Sequence, residues 1–145
     1  MQVTPLLLMA GLHFIAMYAL MYSMVDRFEN VFNNLNQVYM AGIMTTPMLI
    51  IEILLMGSMY ANKRALTAIG IGSLVVFAAF FLFIRQQTAI GNEQFLRSMI
   101  PHHASAILMC EQASIDDPEI EELCGQIIQS QQQEIDLMKR ILEEK

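Results

Sequence analysis

The sequence predicts an all-α protein: three transmembrane helices followed by a soluble amphipathic helical hairpin. Three observations carry that reading. Residues 6–25, 38–60 and 66–84 form apolar runs, each close to the ~20 residues that a bilayer crossing needs. Composition shifts after Gly91, because residues 92–145 hold eleven Asp or Glu against four Lys or Arg, a balance of −7, while residues 1–91 sum to +1. Within that acidic tail, apolar residues recur at helical spacing on both sides of a break containing Pro118. Two parts follow, a membrane domain over 1–91 and a hairpin over 92–145.

The first span, Leu6 to Val25, is expected to be retained rather than cleaved as a signal peptide. No positive charge precedes it, its apolar stretch is long, and no small-residue cleavage pattern closes it. Lys63 and Arg64 lie in the short connection between spans two and three, whereas the connection from Asp26 to Gln37 carries Asp26, Arg27 and Glu29. The positive-inside tendency then places Lys63, Arg64 and the N-terminus in the cytoplasm and the hairpin outside, in a cell (inner) membrane. Arg85, at the outer end of span three, pulls weakly the other way, but a long side chain there can snorkel to the headgroups. In span three, Ala68, Gly72 and Ser73 offer a small-residue face for helix packing, compatible with a homo-oligomer in the lipid bilayer.

Spans one and two contain two rows of residues stepping by four: Met9, His13, Met17, Met21 and Met44, Met48, Glu52, Met56. An antiparallel turn near Phe32 and Asn33 would set Met9 against Met56, His13 against Glu52, Met17 against Met48 and Met21 against Met44. Nine of the thirteen methionines lie in these two spans and none in the third, so the bias is local. With no Lys or Arg in any span, Glu52 is expected to be protonated, paired with His13, or bound to a cation, each cheaper than an isolated charge. His13, Met17, Met48 and Glu52 are therefore candidate soft-metal ligands. The plain alternative is core packing, since a row at spacing four winds round a helix by ~40° per step.

In the acidic tail one helix is expected from about Asn92 to Ala113 and a second to about Glu143. Asp117 caps the second, with Pro118 at its first position. Two amphipathic helices in 54 residues make a thin core, so burial against a second copy or the membrane-proximal face is expected. His103 and Gln131 interrupt the apolar stripes at nearly the same depth, and Met99, His102 and Glu134 lie within about one turn of them. Imidazole with thioether suits copper, thioether selecting Cu(I), and a carboxylate would complete a Cu(II) site. Pro101 removes a backbone donor just before the two histidines and is expected to kink or open the helix there. Cys110 and Cys124 flank the turn, and three readings stay open for them: a disulfide staple, inert buried thiols, or thiolate ligands.

These residues carry a family resemblance. The run Met99-Ile100-Pro101-His102-His103, preceded by Phe95 and Leu96, is followed after a spacer by Gln131, Glu134, Ile135 and Met138. It resembles the signature of the domain of unknown function family 305, over Asn92 to Leu142. That resemblance implies a ferritin-like, all-helical domain and, as in some members, periplasmic copper binding through Met and His. It makes Met99, His102, His103, Met109 and Met138 ligand candidates, with Gln131 and Glu134 as ligands or supporting groups.

An acidic tail disfavours nucleic acid as a partner, because phosphates require a basic face, and favours cations. The chain holds no Gly-rich phosphate loop, nucleophile elbow, HExxH or CxxC, so an enzyme is not expected. Three functional expectations remain. The first is a membrane-anchored copper or silver binding protein, with the hairpin as primary site, exchanging the ion with the transmembrane row. The second is a metal-free membrane protein whose hairpin mediates oligomerisation or docks a partner. The third is a transporter working through spans one and two, which as three helices would have to oligomerise.

Overall fold

The computed structural model describes residues 2–144. Among them are five α-helices, with short 3-10 turns following α1 and α2, and no strand. The helices are α1 (Thr4–Leu20), α2 (Leu35–Met56), α3 (Lys63–Gln86), α4 (Asn92–Gln112) and α5 (Pro118–Glu143). They divide into two compact units. The first joins the chain up to Met21 with Asn36–Ala89, and the second joins Tyr22–Leu35 with the chain from Ile90 onward.

In the first unit, the segments Thr4–Met24, Leu35–Met59 and Lys63–Gln86 are long and apolar enough to cross a membrane. Pro5, in the first turn of α1, costs no intrahelical hydrogen bond. Asn62 caps α3 by accepting from the Ala65 N–H at 3.0 Å. At the far end of α3, Gln87 takes a left-handed conformation and exchanges two side-chain amide hydrogen bonds, each 3.1 Å, with Asn36. The Tyr39 hydroxyl donates to the Thr88 carbonyl at 2.8 Å, so the start of α2 is pinned to the end of α3. Helix α2 buries its small and hydroxyl-bearing face, Ala41, Gly42, Thr45 and Thr46, together with Tyr39 and Leu49. The Phe80 ring lies on Gly42 where a Cβ would stand, which is how small residues let membrane helices approach.

That choice of face corrects the expected methionine ladder. Met44 and Met48 stand on the outward side of α2, 40% and 43% exposed, and Met56 ends the helix 37% exposed, so the second row does not close on the first. Packing of Gly42, Thr45 and Thr46 fixes the rotation of α2, and a step of four cannot follow the same seam. The expected pairing of Glu52 with His13 is also replaced. Among the described residues no hydrogen bond or ion pair joins them, and Glu52 accepts from the Tyr60 hydroxyl at 2.9 Å. Tyr60, 1% exposed, packs with Leu6, Leu49 and Leu66 where the chain turns back after α2. The Lys63 ammonium donates to the Gly57 and Ser58 carbonyls at 2.6 and 3.1 Å, placing a cation at the C-terminal end of this helix.

In the second unit, α4 and α5 form the expected hairpin. Asp117 caps α5 by accepting from the Glu119 and Ile120 N–H groups at 2.9 and 3.4 Å, with Pro118 opening the helix. Ile100, Ala104 and Ile107 from α4 pack against Ile135 and Met138 from α5. Helix α4 continues through the buried Pro101, which lacks the backbone donor of an ordinary helical position. Cys110 and Cys124 are joined as a disulfide near the turn, with Cα atoms 5.3 Å apart. Of the three readings of these cysteines, the staple is the one found.

The open end of the hairpin is closed by a segment that the sequence reading assigned to the membrane domain. Val25 and Phe32, from the connection between α1 and α2, pack on the hairpin core, and the Leu35 N–H donates to Gln94 Oε1 at 2.9 Å. This connection is itself folded. The Tyr22 hydroxyl donates to the Phe32 carbonyl at 2.8 Å, and the buried Asp26 carboxylate accepts from Arg27 N–H and Asn30 Nδ2 at 2.7 and 2.6 Å. The second unit is thus discontinuous in sequence, and its thin two-helix core gains a third layer from within the chain.

Candidate metal centre

His103 lies on the face of α4 that also carries Ile100, Ala104 and Ile107, the i, i+3, i+4, i+7 positions of a buried helical stripe. The residue is 7% exposed, and both ring nitrogens have partners. Nδ1 is 2.8 Å from the Met99 carbonyl, one turn back, and Nε2 is 2.6 Å from Glu134 Oε2 on α5. A carbonyl oxygen only accepts, so Nδ1 must carry a proton, and that assignment leaves Nε2 aimed at the carboxylate. The contact between Nε2 and the carboxylate ties α4 to α5 across the seam. The Glu134 side chain remains 55% exposed, so the pair is dry on the His103 side and wet on the other.

The other predicted residues divide into two groups. Met138, in the core, and Met99, packed against it, bring two thioethers into the cluster that His103 borders. Gln131 is half-buried, one turn before Glu134; the group across the seam from His103 is Glu134 and not Gln131. His102 and Met109 are not gathered. His102 is exposed, its ring centroid 6.0 Å from that of His103 with planes at 64°, and Met109 is 54% exposed. In the first unit, His13 and Met17 are half-buried, Met48 points outward and Glu52 holds Tyr60.

Among the described residues no group of three or more His, Cys, Asp or Glu side chains is arranged to hold a metal ion. The hairpin sets one imidazole against one carboxylate, with the thioethers of Met99 and Met138 in the adjoining core; imidazole and thioether are the donor types that suit a soft ion. The two cysteines are engaged with each other and supply no thiolate.

Two structural partners escaped the sequence reading. Tyr60 reaches Glu52 only because the chain folds back after Met59, and the connection 22–35 joins the hairpin through contacts distant in sequence. Neither leaves a periodic signal. Gln94, whose side chain accepts from the Leu35 N–H, is a polar residue in the first turn of α4.

Comparison with known proteins agrees with the position of this unit. The profile of a domain of unknown function, DUF305, matches residues 85–143, a span that includes every hairpin residue discussed above. The chain is also similar to the uncharacterized protein L153 of Acanthamoeba polyphaga mimivirus, at 33% identity over 150 positions covering all of this chain and 95% of that protein. No solved structure matches the chain. The chain therefore belongs to the family of the mimivirus protein, and its C-terminal region, residues 85–143, to DUF305.

Proposed function

We propose that this is a membrane-anchored copper-handling protein that takes Cu(I), or the similarly soft silver ion, on His103 of its C-terminal hairpin, in a ferritin-like setting of the Met/His copper-binding type. The observation that carries the reading is the fixed tautomer of His103, with Nδ1 bound to the Met99 carbonyl and Nε2 held 2.6 Å from Glu134. A soft cation arriving at Nε2 takes the place of the contact with Glu134, whose carboxylate balances part of its charge, and Met99 and Met138 in the adjoining core are the thioether donors. The second ring nitrogen, tied to a backbone carbonyl, keeps the imidazole oriented, as outer contacts do for ligating histidines generally.

The hairpin is proposed to lie outside a cell membrane crossed by α1, α2 and α3, with the N-terminus cytoplasmic. Three features support this placement. Lys63 and Arg64 sit in the connection that would then be cytoplasmic. The Cys110–Cys124 disulfide suits an oxidising side. The connection 22–35 shares a unit with the hairpin, which fits a there-and-back passage of α2 and α3 that returns the chain to the same side. The outward methionines of α2 and the Tyr60 bond to Glu52 remove the support for a transmembrane exchange ladder, and the hairpin alone carries the reading.

The test is an anaerobic Cu(I) titration of the detergent-purified chain against a chromophoric competitor, beside His103→Ala and His102→Ala. The expected result is tight binding in the unmodified protein and in His102→Ala, lost in His103→Ala. Binding unchanged by His103→Ala, or no binding above background in the unmodified protein, would overturn it.

A further inference from the structure

The hairpin leaves one face open, and its residues are spaced for another pair of helices. On α4, Phe95, Met99, His102, Ala106 and Met109 follow one another at intervals of four, three, four and three. On α5, Leu123, Ile127, Ser130, Glu134, Leu137 and Ile141 repeat the alternation. That is the 3.5-residue period of a helix packed along its length against another helix. None of these residues is buried, and Phe95, Met109, Leu123 and Leu137 are 51%, 54%, 52% and 45% exposed.

Both seams lie on the same side of the hairpin. Counting ~100° per residue, each is roughly 100–130° round its helix from the buried stripe, in the same rotational sense. For antiparallel neighbours, the same sense means the same face. The connection 22–35 occupies the other flank, where Phe32 lines a groove with Arg97, Lys139 and Leu142. The His103–Glu134 and Cys110–Cys124 pairs set the hairpin register, and in that register the seams align as five layers. Phe95 is level with Ile141, Met99 with Leu137, His102 with Glu134, Ala106 with Ser130, and Met109 with Ile127.

We propose that a second copy of the chain closes this face, hairpin on hairpin, about a two-fold axis parallel to the helices. The product is a four-helix bundle in which α4 of each copy lies antiparallel to α5 of the other. A second copy fits because that axis sets every layer against its own complement: aromatic on aliphatic, thioether on aliphatic, imidazole on carboxylate, and small on small. Charge complementarity falls in the central layer, where His102 meets Glu134 of the partner subunit. Glu134 spends Oε2 on its own His103, and Oε1 of this half-exposed carboxylate is the atom offered across the interface. A two-fold axis lying across the helices would instead set carboxylate against carboxylate in that layer, which opposes association. A face about 30 Å long and two helices wide offers roughly 600 Å² per copy, of the order of the ~800 Å² per partner in stable pairs. The dimer requires no metal, and it shares Met99 and Glu134 with the proposed copper site.

The test uses the full chain, metal-free, in nonionic detergent. Two differently tagged chains, one with Ala106→Cys and one with Ser130→Cys, are co-expressed and mildly oxidised, and sedimentation gives the mass of the unmodified protein. The expected result is a dimeric mass and a cross-link between the two tags, with Ala106→Cys alone giving little. Adding Leu137→Glu to both chains is expected to lower the cross-link at least tenfold. A monomeric mass without cross-linking, a cross-link as strong in Ala106→Cys alone as in the mixture, or one indifferent to Leu137→Glu would overturn the proposal.

Discussion

Replacing both Cys110 and Cys124 by Ser removes the staple at the turn end of the hairpin and leaves the other end held by the connection 22–35. The bond closes a short loop, the two cysteines being 14 positions apart. Constraining a loop of about 15 residues in the unfolded chain is worth about 3 kcal/mol. That is a large fraction of the ~5–15 kcal/mol that stabilises an ordinary domain, and the core here is small: Ile100, Ala104, Ile107, Ile135 and Met138. Hydrogen exchange read by mass spectrometry on the full chain in detergent reports the opening of α4 and α5 without unfolding the membrane helices. The expected result is exchange about a hundredfold faster across α4 and α5 in the double serine variant, since about 1.4 kcal/mol is a factor of ten. The Tyr22–Leu35 segment should accelerate with them because it belongs to the same unit. Protection in α4 and α5 within threefold of the unmodified protein would refute the claim that this bond limits opening of the hairpin.

Gly42→Ala places a methyl group into the Phe80 ring and is expected to destabilise the three-helix unit by about 1–3 kcal/mol, with Phe80→Ala in the same chain recovering part of the loss. Thermal unfolding in detergent measures both. Glu134→Ala leaves the buried Nε2 of His103 without its partner and should cost about 1–3 kcal/mol, at the lower end because the carboxylate is half-exposed. Glu134→Gln keeps a donor for that nitrogen and should cost less in the same hydrogen-exchange assay. Asp117→Ala removes the cap of α5 and is expected to cost about 1 kcal/mol, seen first as faster exchange of the Glu119 and Ile120 amides.

The elements that the sequence displayed are those whose cause is local. Apolar runs of spanning length, the Asp117-Pro118 start of α5 and the apolar period of the hairpin depend on near neighbours, and the structure has each of them. Helix rotation depends on which residues allow close approach. The methionine rows stood out in the sequence, yet α2 turns its Gly42, Thr45 and Thr46 inward, and Phe80, nearly forty positions away, decides that rotation. The partner of Glu52 was similarly hidden, because a tyrosine after a helix end gives no sign of folding back by two turns. At the hairpin, the interruption of the stripe at His103 was visible, but its partner is Glu134, because the register of two antiparallel helices is set by side chains along the whole seam. Pro101 falls inside α4, and the helix continues through it with Ile100, Ala104 and Ile107 held in the core.

The most direct measurement on the proposed site is copper K-edge X-ray absorption on the Cu(I)-loaded full chain, unmodified and His103→Ala. The predicted result is a Cu(I) edge with both sulfur and imidazole scattering in the unmodified protein, and loss of the imidazole contribution, or of the metal itself, in His103→Ala. A sulfur-only sphere in the unmodified protein, or one that His103→Ala leaves unchanged, would contradict the placement of the ion on His103.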